Sequence, residues 1–182
     1  KQPVAVHAQV AGQLPELYFS SAELLVDDKI YVLDAQSGCW DKFDSWLADA
    51  SSKKITIDSK ELYKCCLCRQ VKVQGIADDV ALAGYVADSG HSSYSLEDLS
   101  RRNLPGVLAT PCENMLQLAA KLRSQLAEQQ QLKLYEEFEL PLAPVLAQME
   151  FAGIMPDKEL LLQLSEDMGH RIAKLEALAQ EQ

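Results

Sequence analysis

The sequence lacks a surplus of positive charge. Its 182 residues include 17 Lys and Arg against 27 Asp and Glu, which gives a formal net charge of −10 at pH 7. A domain that binds a phosphate backbone unaided normally carries a basic stripe. Here the basic pairs Lys53-Lys54 and Arg101-Arg102 stand isolated. We therefore expect this chain to have little affinity of its own for DNA.

Long apolar runs are also missing. No stretch reaches the roughly 20 apolar residues of a membrane span, and no signal peptide opens the chain. The sequence begins Lys1-Gln2-Pro3 without a methionine and stops at Gln182 within a helical pattern. These features predict a fragment of a longer cytoplasmic protein with no membrane partner.

The five cysteines do not form a zinc framework. Three of them cluster at Cys65, Cys66 and Cys68, but no second cysteine pair follows, and the three histidines lie far away in sequence. We expect buried, reduced thiols without a metal.

The first third of the chain is patterned mainly as β-strands. Residues 4–10 alternate, so that Val6 and its even-numbered neighbours face one way while His7 and Gln9 face the other. Further strands are predicted at 17–19, 23–26, 30–33, 54–57 and 71–73, with a hairpin turn at Asp27-Asp28.

Helices alternate with the later strands. They are predicted at 40–48, 59–66, 79–87, 95–102 and 110–130, and Thr110-Pro111-Cys112-Glu113 begins the last one with a capping box. The chain begins with consecutive strands, and helices connect the later strands. This order predicts an α/β domain with a mixed sheet over residues 1–130. From residue 131 the pattern is helical only, so we predict a separate helical segment at 131–182.

Two apolar stripes run through this helical segment. The first follows Pro141, which should start or kink a helix, and comprises Leu142, Val145, Leu146 and Met149. Gly153 suits the left-handed residue that ends this helix, and Asp157 suits the N-cap of the next. The second stripe comprises Leu160, Leu164, Met168, Ile172 and Leu175. Two helices alone bury little, so we expect the α/β domain to hold this segment poorly and the stripes to favour self-association.

The stretch from Tyr135 to Asp157, YEEFELPLAPVLAQMEFAGIMPD, resembles a known family. Its fixed gaps match the run that leads from the 3′→5′ exonuclease-like domain into the thumb of bacterial DNA polymerase I, a family A DNA polymerase. Upstream, Gly75–Tyr85 is similar to that family's Gly-Ile-x-Phe-Asp-Thr-Met-Leu-x-x-Tyr. The resemblance implies a ribonuclease H-like fold for residues 1–130 and the start of a thumb at 131–182.

The resemblance also implies where a nuclease site should lie. Proofreading in that family uses two metal ions held by four carboxylates, two of them in an Asp-x-Glu pair on the first strand. The positions of this sequence that match the site are His7, Gln9, Asp79, Leu108 and Cys112. Only Asp79 keeps a carboxylate, so we predict no catalytic residue and no metal cofactor here. We interpret Asp79 as a helix N-cap, His7 as a strand histidine and Cys112 as a structural thiol.

The function that the resemblance implies belongs to a longer chain. That chain would be a DNA-directed DNA polymerase of DNA replication and repair, with Mg²⁺ at its polymerase site and primer–template DNA bound mainly by regions outside residues 1–182. The nuclease-like domain would be a scaffold without proofreading. Two alternatives stay open: an active 3′→5′ exonuclease with substituted ligands, and a nuclease-derived interaction module, which would not need the thumb-leading stretch.

Overall fold

A computed structural model of the protein describes residues 2–106 and 110–180. The chain divides into one compact unit that ends at Phe151 and a second that begins at Ala152. The first compact unit includes the helical residues up to Phe151 as well as the sheet. The division near residue 130 into a nuclease-like domain and a thumb-leading segment therefore stays a prediction. The second unit contains one long helix.

The first unit is built on a five-stranded mixed sheet, as predicted. The strands are β1 (Val4–Ala11), β2 (Tyr18–Val26), β3 (Lys29–Asp34), β4 (Lys54–Thr56) and β5 (Ile76–Asp79). Their order is β3-β2-β1-β4-β5, with β1, β2 and β3 antiparallel and β4 and β5 parallel to β1. The predicted alternation in β1 is confirmed, since Val6 packs in one hydrophobic core and Ala5 in the other.

Two strand predictions were wrong. The strands predicted at 17–19 and 23–26 form one strand, β2, which begins at Tyr18. Its alternation is interrupted where the register against β1 shifts: Gln9 pairs with Ser21, whereas Val10 pairs with Phe19. The skipped residue, Ser20, forms a β-bulge that returns Phe19 and Ala22 to the same core. Residues 71–73 are not a strand, and the strand that follows them, β5, was missed.

Five helices cover the sheet: α1 (Trp40–Leu47), α2 (Ser59–Cys68), α3 (Val80–Ala87), α4 (Leu96–Asn103) and α5 (Pro111–Glu128). Their N-termini follow the sequence signals. Asp58 and Ser95 accept hydrogen bonds from the third residue of their helices, and Thr110 with Glu113 forms the predicted capping box. Helix α5 packs against β1, β2 and β4, and it supplies much of one core.

A helical connector follows α5 and lies within the first unit except for its last residue. It consists of α6 (Leu132–Leu134), a π-helical turn (Tyr135–Glu139) and α7 (Leu140–Ala152). Pro141 is the second residue of α7 and follows the π-helical turn after Leu140, where its missing N–H removes one helical hydrogen bond. The predicted stop is confirmed, since Gly153 has a φ of +68°.

Helix α7 buries small residues and leaves the predicted apolar stripe largely exposed. The buried residues of α7 are Ala143 and Ala147, while the stripe Leu142, Val145, Leu146 and Met149 is 38–63% exposed. Tyr135, upstream, is fully buried. The expectation that the α/β domain would hold this segment poorly is thus wrong for residues 135–151, since Tyr135, Ala143 and Ala147 are buried.

The second unit consists mainly of α8 (Lys158–Gln180), whose described residues are all exposed. Asp157 caps it as predicted, accepting a hydrogen bond from the N–H of Leu160 at 3.0 Å. Among the residues that the structure describes, no helix combines the length and the apolar character needed to cross a membrane.

Candidate functional site

Asp79 lies at the junction of β5 and α3 and is 1% exposed. Its carboxylate accepts four backbone hydrogen bonds. Two come from the first turn of α3, from Ala81 and Leu82 at 2.9 and 3.2 Å, and two come from Asp58 and Ser59 at 3.2 and 2.6 Å. Burial raises the pKa of Asp79, and these N–H groups oppose that rise. The interpretation of Asp79 as an N-cap is confirmed, with a second helix start tied to the same side chain.

His7 lies on β1 opposite Glu23 of β2, and it is half-buried. Burial lowers the pKa of His7, and the nearby Glu23 carboxylate partly opposes this effect. The imidazole borders a cleft of about 650 Å³ whose lining includes Asp58, Glu61 and Tyr94. Gln9, two residues along the strand, is exposed. His7 therefore lies where the resemblance expects a first-strand metal ligand, but it carries an imidazole instead of a carboxylate.

Cys112 is fully buried in the first turn of α5. Its thiol lies 3.2 Å from the carbonyl of Glu23 and 3.5 Å from that of Ala5, and burial raises its pKa to about 12. Its N–H donates to the Glu23 carboxylate at 3.2 Å. Cys112 is thus a structural thiol, as interpreted from the sequence. Leu108, the remaining predicted position, lies outside the described residues.

These side chains do not fit a pair of hard divalent ions. Such ions take accessible oxygen ligands, whereas Asp79 is 1% exposed, and its Oδ1 accepts hydrogen bonds from three N–H groups and its Oδ2 from one. Asp79 borders a different cleft from His7, one of about 340 Å³. Over residues 2–106 and 110–180, no group of three or more His, Cys, Asp and Glu side chains is arranged to hold a metal ion.

Sequence reasoning missed the polar network beside Asp79. The hydroxyl of Tyr135 accepts a hydrogen bond from the N–H of Asp79 at 2.8 Å and lies 3.3 Å from the carboxylate of Asp78. Arg123 of α5 bridges Asp78 and Glu136 at 2.7 and 2.6 Å. The only sequence signal was Tyr135 itself, which opens the family motif but is followed by a helical pattern that does not reveal its partner.

A second attachment joins α7 to α2. Glu150 forms ion pairs with Lys60 at 2.7 Å and with Lys64 at 2.8 Å, and Lys64 also contacts Glu61. The two lysines lower the pKa of the Glu150 carboxyl to about 2. Met149-Glu150 was recognised in the sequence as part of the family motif, but its lysine partners, some 90 residues away, were not.

The basic pairs take different roles. Lys54 is fully buried, and its ammonium group donates to the carbonyls of Asp49, Ser52 and Gln74 at 2.8–3.0 Å. It is therefore inaccessible to a phosphate backbone. Arg101, which is exposed, pairs with Glu97 and Asp98 of its own helix.

The fold and sequence were compared with those of known proteins. Residues 19–108 match the family model for the ribonuclease H-like domain of DNA polymerase I. The chain is 31% identical over 154 residues to DNA polymerase I of Mycobacterium tuberculosis and 28% identical over 159 residues to that of Bacillus subtilis. These alignments cover 70% and 74% of the chain but only 17% and 18% of the relatives, so the chain spans under a fifth of their length.

A solved structure extends the match over nearly the whole chain. It is the POL domain of Pol1 from M. smegmatis in complex with DNA primer–template and dNTP. It aligns with a TM-score of 0.83 and 26% identity, covering 94% of this chain and 32% of that one. The predicted ribonuclease H-like fold and the resemblance are thereby confirmed: the chain belongs to the DNA polymerase I family and carries its 3′→5′ exonuclease-like domain.

Proposed function

We propose that this chain is the part of a DNA polymerase I in which a nuclease-like domain serves as a scaffold without proofreading activity. The whole protein would synthesise DNA in replication and repair in the cytoplasm, with Mg²⁺ at a polymerase site outside residues 1–182. Primer–template DNA would be bound mainly by those other regions, in keeping with the net charge of −10.

One observation carries the loss of proofreading. The single carboxylate retained from the nuclease site, Asp79, accepts hydrogen bonds from four backbone N–H groups and is 1% exposed. A divalent ion would have to reach a nearly buried carboxylate that already accepts these hydrogen bonds. His7 and Cys112, at two of the other positions, offer a neutral imidazole and a protonated thiol, which are poor ligands for Mg²⁺.

A nuclease assay tests this proposal. We expect the purified chain to leave 5′-labelled single-stranded DNA intact in millimolar Mg²⁺ or Mn²⁺. An exonuclease activity that EDTA abolishes and that elutes with the protein through size exclusion would overturn the proposal. It would support the alternative of an active nuclease with substituted ligands, and it should then be altered by His7→Ala, which removes an imidazole from the cleft without touching a helix cap.

Metal binding gives a second test that does not depend on activity. Free Mn²⁺ has a strong paramagnetic resonance signal that is lost on binding. We expect the signal of Mn²⁺ at about 0.1 mM to be unchanged by an equimolar amount of this chain. Binding at this concentration, abolished by Asp79→Asn in a variant that melts as one cooperative unit, would count against the proposal.

A further inference from the structure

We propose that Asp79 has become the fixed point that attaches the helical connector, residues 132–152, to the sheet. The residue that matches a nuclease ligand would now set the direction in which the chain leaves the α/β fold. This inference rests on the proposed function only in assuming that Asp79 does not serve a metal.

The first step is the contact between Asp79 and Tyr135. The backbone N–H of Asp79 donates to the Tyr135 hydroxyl at 2.8 Å, and both residues are almost fully buried. The same hydroxyl lies 3.2 Å from the Asp79 carbonyl and 3.3 Å from the Asp78 carboxylate, so its proton also has an acceptor. A buried hydroxyl satisfied as donor and acceptor has one favoured position, which fixes the start of the connector.

The second step is that the Asp79 side chain holds its own backbone in place. Through Ala81 and Leu82 it caps α3, and through Asp58 and Ser59 it holds the start of α2. Asp79, whose N–H donates to the Tyr135 hydroxyl, is thus bonded to the starts of two helices. Movement of Asp79 would break several buried hydrogen bonds at once, which makes this a rigid anchor.

A second contact lies beside the first. Arg123 of α5 donates to Asp78 at 2.7 Å, to Glu136 at 2.6 Å and to the Ala77 carbonyl at 3.3 Å. It therefore ties β5 to the residue that follows Tyr135. Two adjacent residues of the strand, Asp78 and Asp79, hold two adjacent residues of the π-helical turn.

The far end of the connector is attached separately. Glu150 pairs with Lys60 and Lys64 on α2, the helix whose start Asp79 holds. A helix attached near both ends to one rigid body cannot swing about either end alone. The connector is thus attached to the α/β domain at two places, near Tyr135 and at Glu150.

The test compares two tyrosine substitutions by hydrogen exchange. Tyr135→Phe removes the hydroxyl and leaves the Asp79 N–H buried without an acceptor. We expect amides of residues 140–151 to exchange about tenfold faster, equivalent to about 1.4 kcal/mol. Tyr94→Phe is the control: the Tyr94 ring borders the same cleft as the connector, but its hydroxyl bonds to the backbone of Asp88 and His91, which lie outside the connector. It should leave these rates unchanged.

Equal exchange rates in Tyr135→Phe and the unmodified chain would overturn the inference. The unmodified chain provides a check that does not require the variant to fold. The exchange rates of the Asp79 amide and of the amides of residues 140–150 should depend on denaturant concentration in the same way. If the connector opens well before the Asp79 amide does, the anchor is disproved. The nuclease assay reports on the proposed function separately, since a scaffold with a loose connector would still be inactive.

Discussion

Arg123 places its Nε 2.7 Å from the carboxylate of Asp78, whose side chain is only 9% exposed. Burial raises the pKa of Asp78, and the Arg123 guanidinium is the largest influence that opposes the rise. The Arg123 guanidinium thus supplies a counter-charge that favours the ionised form of Asp78 against the effect of burial. Removing one partner of such a pair is costly, because the other is left buried without its counter-charge.

We predict that Arg123→Met lowers the free energy of unfolding by about 2 kcal/mol at pH 7, less than for a fully buried pair because Arg123 is 35% exposed. A carboxyl whose folded-state pKa exceeds its unfolded value contributes stability at low pH and loses it as the pH rises through the folded pKa. Losing Arg123 raises the folded-state pKa of Asp78 further. The loss of unfolding free energy relative to the unmodified chain should therefore grow between pH 4 and pH 7. Urea unfolding at both values measures it.

Arg101→Met is the control for this experiment. Arg101 also pairs with two carboxylates, Glu97 and Asp98, but it is 64% exposed. We expect its loss to change stability by no more than about 0.5 kcal/mol. Two outcomes would contradict the role given to Asp78. In one, Arg123→Met loses no more unfolding free energy than Arg101→Met; in the other, its loss shrinks as the pH rises.

Lys54 leads to a second prediction. The side chain is fully buried, and its ammonium group donates hydrogen bonds to three backbone carbonyls. Burial lowers the pKa of Lys54. Lys54→Met keeps most of the volume but leaves those carbonyls without a donor, which should cost about 2–3 kcal/mol. Lys53→Met, one residue earlier and exposed, should change stability by less than about 0.5 kcal/mol. Similar melting temperatures for the two variants would contradict the assignment of Lys54.

A third prediction concerns the pH dependence of the α2–α7 contact. Lys60 and Lys64 lower the pKa of Glu150 from 4.5 to about 2. A carboxyl with a lowered folded-state pKa contributes stability above its unfolded pKa and loses it as the pH falls through the folded value. The difference in melting temperature between the unmodified chain and Glu150→Gln should therefore be present above pH 4.5 and disappear toward pH 2.

Salt provides the control for that measurement. These are partly exposed ion pairs, so 1 M NaCl should reduce the difference at pH 7 without changing its sign. A difference that persists unchanged at pH 2 would mean that Glu150 stabilises the contact by packing, and the electrostatic account would be wrong.

The parts of the fold that sequence reasoning found are those that nearby residues determine. Thr110, with Glu113 three residues on, specifies a helix start wherever it lies, and the same holds for Ser95 and Asp157. Strand β5 was missed because its last two residues are aspartates, which are rare in strands. Its stability comes from pairing with β4 and from Arg123, which lies 45 residues away.

The candidate site shows the same limit. The sequence pattern placed His7 on a strand and Asp79 at a helix start, but the two side chains border different clefts. It could not show that four N–H groups surround Asp79, since two of them belong to residues 58 and 59. Nor could it show that Glu23 turns toward Cys112, because that contact follows from the pairing of β1 and β2 and from the packing of α5.

The last prediction concerns the apolar stripe that α7 leaves exposed. Leu142, Val145, Leu146 and Met149 are 38–63% exposed, whereas Ala143 and Ala147 of the same helix are buried. Adjacent exposed apolar side chains of this size favour association. We predict that the chain self-associates with rising concentration, and that Val145→Glu suppresses this by placing a charge within the stripe.

Gln148→Glu is the matched control, because it adds the same charge to the same helix at a residue outside the stripe. Light scattering over a concentration series from about 10 µM to 1 mM should show an increase in mass for the unmodified chain and for Gln148→Glu, but not for Val145→Glu. A monomer at every concentration would disprove association. Association that both substitutions leave unchanged would place the contact elsewhere, with the exposed apolar residues of α8 as the next surface to test by Leu164→Glu.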